Sequence, residues 1–401
     1  MNEEGAELTR RRRLPAAQAS PLEDDDLLWE ILLRLPPQPS SLPRASAVCK
    51  RWLGLVTDPR FHRQFYAHHR KPPLLGGFSW SGRSVFNPVL DTPDRIPPTR
   101  LSLGRCSNRN QFYVLNCRHG LVLVHDYVRD EVVVCDPITG EQRHVAIPPD
   151  LSRPVLGGAV LCAASDLGHV HGGCHSSPFK VVLVSAGESD TGDLGCIYSS
   201  DTGVWGNRIS ADGPCDLSDL HATLVGNALY WLCDGEQILE FDLDGPSLTL
   251  ITAPPGIDDI HSGNHHIIQG EDGDVGLATL SCPRLQTWQR KVNCHGVATW
   301  VPWKTIEMHT ILGLPSSIDG LFGRLLGYDE DNGAILIYAK DGVYTVQLIS
   351  MQSKKLSETH NINGCHIFTS FYAPGEGMAA ALLTESVAMH QCGRSAVFIS
   401  Y

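Results

Sequence analysis

The feature that most limits how this chain can fold is a hairpin that returns 106 residues further on. Val132-Val-Val-Cys-Asp136, with its return Val145-Ala-Ile-Pro-Pro149, lines up with Ile238-Leu-Glu-Phe-Asp242 and its return Ile251-Thr-Ala-Pro-Pro255, an offset of twice 53. Gly120, Gly226, Gly273 and Gly333, separated by 106, 47 and 60 residues, each precede an apolar strand. Within this frame Glu131-Val-Val-Val-Cys135 reads as a strand, Asp136-Pro-Ile-Thr-Gly140 as a turn and Gln142 to Ile147 as the return. Ala228-Leu-Tyr-Trp-Leu232, the tight turn Cys233-Asp-Gly-Glu236 and Gln237 to Leu243 repeat the pattern. Apolar, β-branched runs punctuated by Gly, Asp and Pro are strands joined by tight turns. A repeat of about 50 residues holding several strands is what a β-propeller blade requires. The roughly 330 residues from Lys71 onward predict six or seven degenerate blades. A pair of β-sandwiches is the structural alternative.

Before residue 70 the periodicity is helical. Leu27, Leu28, Ile31, Leu32 and Leu35 fall on one face, as an amphipathic helix demands. Asp24, Asp25 and Asp26 place negative charge at its start, where the helix dipole favours it, and Pro36-Pro37 ends it. A second helix is predicted from Ser41 or Leu42, with Ala45, Val48, Cys49, Trp52 and Val56 along its stripe. Asp58-Pro59 reads as an N-cap followed by proline at the first helical position, and Phe61 and Phe65 form an i, i+4 pair on a third helix. Three short helices enclose little core of their own, so an apolar face is expected to await a partner. The expected organisation is an N-terminal arm over residues 1–20, a helical module over 21–67 and a β domain over 71–401.

Residues 22–65 resemble an F-box, specifically that of the large grass-plant F-box family. The resemblance rests on Asp26-Leu-Leu-Trp-Glu-Ile-Leu-Leu-Arg-Leu-Pro-Pro37, Ser41-Leu-Pro-Arg-Ala-Ser-Ala-Val-Cys-Lys-Arg-Trp52 and Asp58-Pro-Arg-Phe61. Downstream, His68-His-Arg-Lys-Pro-Pro-Leu-Leu-Gly76, Cys117-Arg-His-Gly-Leu121, Asp136-Pro-Ile-Thr-Gly140, Tyr198-Ser-Ser200 and Asp341-Gly-Val-Tyr344 extend it over most of the chain. One departure is Glu23, where many F-boxes have proline after the leucine. The stretch after Gly377 matches no part of the family pattern. The resemblance implies a non-catalytic subunit of a Skp–cullin–F-box ubiquitin ligase. Its F-box would dock on a Skp-type adaptor, and through it on cullin, while the β domain holds an unidentified protein substrate. By motif position, Leu22, Leu27, Leu28, Ile31, Leu32, Leu35, Pro36, Leu42, Val48, Cys49 and Trp52 form or support the adaptor surface. About half of these are expected to be the module's own core, with Ile31 and Trp52 serving both purposes.

Charge narrows the partners. Up to Arg70 the chain has 11 basic and 9 acidic residues; the remainder has 21 against 35, a net of −14. An acidic body repels phosphate backbones, so no nucleic-acid partner is expected. Arg10–Arg13 is the one dense basic cluster; a solvated arm is preferred to a nuclear-localisation patch. The first 20 residues lack an apolar stretch, and the run from Pro154 to Ser165 is too short to span a bilayer. Thirteen irregularly spaced cysteines fit reduced thiols in the cytoplasm or nucleus.

Sharper chemistry finds weaker support. His169, His171, Cys174 and His175 are zinc-ligand types, but no second pair stands at a zinc-like spacing, so a loop and no metal are expected. His265-His266 reads as an exposed turn. No nucleophile elbow, phosphate-binding loop, zinc-protease motif or dinucleotide fingerprint occurs, so neither catalytic residues nor a cofactor are expected. Trp205, Trp231, Trp288, Trp300 and Trp303 are expected to pack between blades. Two rival functions remain: an adaptor-binding decoy without ligase output, and a propeller enzyme. The enzyme needs convergent carboxylates in a polar central pocket, and Asp258, Asp259, Asp272 and Asp274 are already explained as turn residues.

Overall fold

A computed structural model of the chain describes residues 22–372 apart from 23, 81–83, 108–110, 152–155, 166–167, 176, 186–193, 212, 214–216, 218–220, 235, 256–263, 314–322, 340–341 and 358–364. The arm with Arg10–Arg13, the stretch after Gly377, and Asp258, Asp259 and Asp341 lie outside the described residues.

The helical module contains α1 (Asp25–Leu33), α2 (Ser41–Ser46), α3 (Lys50–Val56) and α4 (Pro59–His69). Asp24 caps α1 by accepting from the amides of Asp26 and Leu27. Asp58 caps α4 at the Arg60 amide, with Pro59 at the first helical position. The Asp58 cap follows from the sequence, whereas Asp24, expected only as charge at the helix start, also serves as a cap. The expected second helix is broken in two. Cys49 is fully extended at φ −165° and acts as the N-cap of α3. The stripe drawn through Val48 and Cys49 therefore does not exist as a helical face.

The rest is a six-bladed propeller. Blade 1 is Phe112–Arg118, Leu121–Asp126, Glu131–Cys135 and Gln142–Ala146; blade 2 is Leu156–Cys162, Phe179–Ser185, Leu194–Ser199 and Val204–Trp205. Blade 3 is Thr223–Val225, Ala228–Cys233, Gln237–Asp242 and Ser247–Thr252; blade 4 is His265–Gln269, Val275–Ser281, Arg284–Val292 and Ala298–Glu307. Blade 5 is Gly323–Asp329, Ala334–Ala339, Gly342–Gln347 and Ser353–Ser357. The closing blade combines Leu74–Trp80 and Ser84–Pro88 with Cys365–Thr369 from the far end of the chain, Phe78 pairing with both Phe86 and His366. All neighbouring strands within these blades are antiparallel. The 106-residue offset is thus a step of two blades, from blade 1 to blade 3.

Gly120, Gly226, Gly273 and Gly333 occupy the same place in four blades, the turn from first to second strand. All four have positive φ, between 61° and 84°, which glycine adopts without penalty. Asp126, Asp136 and Asp242 close their hairpins by accepting backbone amides two and three residues on.

The core is divided among the gaps between blades, one buried apolar cluster to each of the six. Trp231 is fully buried between blades 2 and 3. Trp288 and Trp300 pack between blades 3 and 4, and Trp303 between 4 and 5. Trp205 of blade 2 donates its indole N–H to Ala146 O of blade 1 at 2.9 Å, and Trp300 of blade 4 donates to Thr252 O of blade 3 at 2.7 Å. These tryptophans serve packing, as their positions implied. His265 and His266 are a correction: both are buried in the innermost strand of blade 4, not in an exposed turn. Ile267 and Ile268 beside them carry the strand into the core.

Ten described cysteines are free thiols, while Cys233 is disulfide-bonded; there the expectation of reduced thiols fails. Among the described residues no helix is long and apolar enough to cross a membrane.

Candidate functional site

The helical module carries two apolar faces with different fates. Leu28, Leu32, Leu33, Leu42, Ala45, Val56, Phe61 and Phe65 form its core, and Phe371 from the end of the closing strand is part of the same cluster. Tyr66 stacks on Phe371 at 4.4 Å between ring centroids, and Val170 from the blade 2 loop packs alongside. Burial pushes the Tyr66 hydroxyl up to about 12. Ser40 N–H donates to Asp94 Oδ1 at 3.0 Å, a second tie to the propeller side. One face is therefore fused to the propeller.

The other face stays open. Leu22, Leu27, Ile31 and Val48 are 45%, 50%, 41% and 59% exposed. They are four of the thirteen large apolar side chains exposed among the described residues, gathered within residues 22–48. Pro36 and Cys49 are exposed as well. Arg51 brings the elements together: Nε donates to Asp25 Oδ1 and a terminal amino group to Leu22 O, both at 2.6 Å. Of the eleven positions expected at the adaptor surface, Leu28, Leu32 and Leu42 are buried in the module's core. Leu35 and Trp52 are half-buried against it. The contribution of Phe371 to the core and of Val170 against it could not be foreseen, because both come from segments over 100 residues away in sequence.

The innermost strands surround a polar channel, lined by Arg118, His221, His266, Asp329, Glu330 and His366 among others. Arg118, whose side chain is 3% exposed, clasps Glu330 with two N–H groups, one at 2.8 Å, and also donates to Ala222 O at 3.2 Å. Leu224 N–H donates to Glu330 Oε1 at 2.9 Å. This pair, its arginine buried, thereby braces blades 1, 3 and 5 across the channel. Asp329 accepts from Asn332, and Asp331 from Thr369 Oγ1. His221 and His366 stack at 4.0 Å. The polar centre required by the enzyme reading exists, but each of its three carboxylates already holds structure together. Asp272 and Asp274, read as turn acids, both receive Lys291.

The histidine-rich segment is a loop, as expected, and the fold brings a further cysteine to it. Cys162 at the end of the first strand of blade 2 meets His169, His171 and Cys174, their ligand atoms all within 4.8 Å of one another. The fold thus adds a fourth side chain of ligand type, Cys162, to three from the loop. His175 points elsewhere, its Nδ1 2.7 Å from Asp136 Oδ2.

Comparison with known proteins places these elements. Residues 25–68 match the family model "F-box-like", and residues 113–318 match "F-box protein AT5G49610-like, beta-propeller". No curated protein is similar enough to count as a match. Among solved structures, Hsv2 of Kluyveromyces lactis is 11% identical, with a TM-score of 0.31 over 47% of this chain. The chain covers 60% of that protein's length. The computationally designed Ika8 protein is 12% identical over 73% of this chain and 89% of its own, with a TM-score of 0.34. The Cps50 (Swd1) β-propeller domain of Myceliophteria thermophila is 10% identical over 61% and 87%, with a TM-score of 0.31.

Proposed function

Because the chain belongs to the family of F-box proteins with an AT5G49610-like β-propeller, we propose that it is the substrate receptor of a Skp–cullin–F-box ubiquitin ligase. In this reading residues 21–67 bind the Skp-type adaptor and residues 71–401 hold a protein client. The receptor performs no bond chemistry; it raises the client's concentration near the charged conjugating enzyme and orients a lysine toward it.

The observation that carries this reading is the open apolar patch on a module whose opposite face is already covered. Exposed apolar side chains gathered in one place mark a docking surface. We assign direct adaptor contact to Leu22, Leu27, Ile31, Pro36, Val48 and Cys49, and a supporting role to Leu28, Leu32, Leu35, Leu42 and Trp52. Leu27 and Ile31 are each about half exposed, so burying the rest of both on a partner is worth about 1.5–3 kcal/mol together, and loss of both contacts weakens binding by about tenfold to a hundredfold.

The test is a binding assay between the full chain and purified Skp-type adaptor, wild type beside Leu27→Asp/Ile31→Asp. These side chains are outside the core, so the double variant is expected to keep the wild-type melting temperature and lose the adaptor. A folded wild-type protein that does not bind adaptor sinks the proposal.

A further inference from the structure

The segment joining the first two strands of blade 2 carries four metal-ligand side chains on one short span of chain. Cys162 Sγ lies 3.3 Å from His169 Nε2, and Cys174 Sγ lies 3.4 Å from His169 Nε2 and 3.7 Å from His171 Nδ1. Ligands at zinc's usual bond lengths, placed at tetrahedral angles, stand about 3.4–3.8 Å apart. These three separations thus match the edges of a zinc tetrahedron, and all four ligand atoms lie within 4.8 Å of one another. Two thiols and two imidazoles are ligands that suit zinc and not magnesium or calcium. Four protein ligands make a closed set, as structural zinc sites have and catalytic ones do not.

The surroundings hold the ligands in place. Cys174 is buried. The His119 ring stacks on His171 at 3.7 Å between centroids, and His119 Nδ1 accepts from the Cys162 amide at 3.2 Å. Ala164 N–H points at Cys162 Sγ at 3.5 Å, which suits a thiolate.

The residues between the ligands face the opposite way, toward the F-box. Val170 packs against the F-box core. Gly172 O accepts from Ser370 Oγ at 2.8 Å and from Phe371 N–H at 2.9 Å. Gly173 lies so close to Tyr66 of α4 that a Cβ there would be 2.5 Å from the ring. Ligands at 169, 171 and 174 thus alternate with contact residues at 170, 172 and 173.

We propose that Cys162, His169, His171 and Cys174 bind one structural Zn²⁺ ion, and that this ion stiffens the loop on which the F-box is seated. Coordination expels the thiol protons to solvent and ties the loop to the end of a core strand. The ion thereby fixes the orientation of the F-box relative to the propeller. The inference is independent of whether the chain acts in a ligase, because it rests on the ligand set and the contacts of the loop alone.

The full chain, stripped of metal under reducing conditions, is titrated with Co²⁺ and then with Zn²⁺. One equivalent of Co²⁺ is expected to give the intense visible bands of a tetrahedral centre with thiolate-to-cobalt charge transfer, and Zn²⁺ is expected to abolish them. Cys162→Ser and Cys174→Ser each lose the charge-transfer intensity, while His175→Ala keeps it. A folded wild-type chain without thiolate charge transfer overturns the site, as does a His175→Ala chain that loses as much signal as Cys174→Ser. Hydrogen exchange tests the coupling on the same wild-type samples with Zn²⁺ or without metal. Removal of the metal is expected to speed exchange in α4 and at the Phe371 amide and to leave blade 4 unchanged. Unaltered exchange in α4 overturns the role in seating the F-box.

Discussion

Asp329 shows how a single residue in the channel is shaped by burial. It is almost fully buried at the end of the first strand of blade 5, and loss of water pushes its carboxyl up to about 6, against the hydrogen bonds from Asn332 that pull it down. The folded chain therefore holds a proton that the unfolded chain releases near pH 4. Between about pH 4 and about pH 6 the folded state binds more protons, so this residue's contribution to stability falls as pH rises through that window and levels off above it. Asp329→Asn removes the titration. Relative to wild type, its urea midpoint is expected to rise progressively from pH 4 to pH 6, corresponding to about 2–3 kcal/mol. A difference that does not change with pH rules the account out. No motif in the sequence singles out Asp329; its depth in the channel depends on the blades around it.

At the scale of elements, α4 and the blade 2 loop are fitted to each other through Gly173. No side chain can be added there without moving Tyr66, which is held by its stack on Phe371. Gly173→Ala is expected to cost about 1–3 kcal/mol, the usual range for forcing an extra carbon into a packed contact. Gly245→Ala, with nothing within 4 Å of the new carbon, should change the melting temperature by far less. Equal effects of the two substitutions would show that α4 yields freely. The helix cap Asp58 was legible because capping is local chemistry. The break between α2 and α3 was not, because Val48 and Cys49 continue the apolar spacing across it.

For the whole molecule, closure of the ring is the decisive event. Leu74–Trp80 follows the F-box directly, and its partner Cys365–Thr369 arrives nearly 300 residues later. That late strand brings Phe368 to the core of the closing blade and leads into Phe371 in the core of the F-box. A chain ending before Cys365 leaves a long strand edge unpaired and opens both cores. Unpaired edges recruit other chains, so the truncated protein is expected to elute as aggregates and to melt well below wild type. A monomeric truncated chain with wild-type melting would show that the ring does not depend on this strand.

Local facts were legible along the chain: the F-box strings, the Asp58 cap, the roughly 50-residue hairpin period and the glycines that precede apolar strands. Each of these is written within a few residues or repeats at a fixed interval. Which of Leu27, Leu28, Ile31 and Leu32 face outward was set by the folded arrangement. It alone made Arg118 and Glu330 partners across the channel, and it brought Cys162 to three ligands of its own loop. These outcomes depend on which surfaces meet when six blades close into a ring, and no spacing along the chain records that meeting.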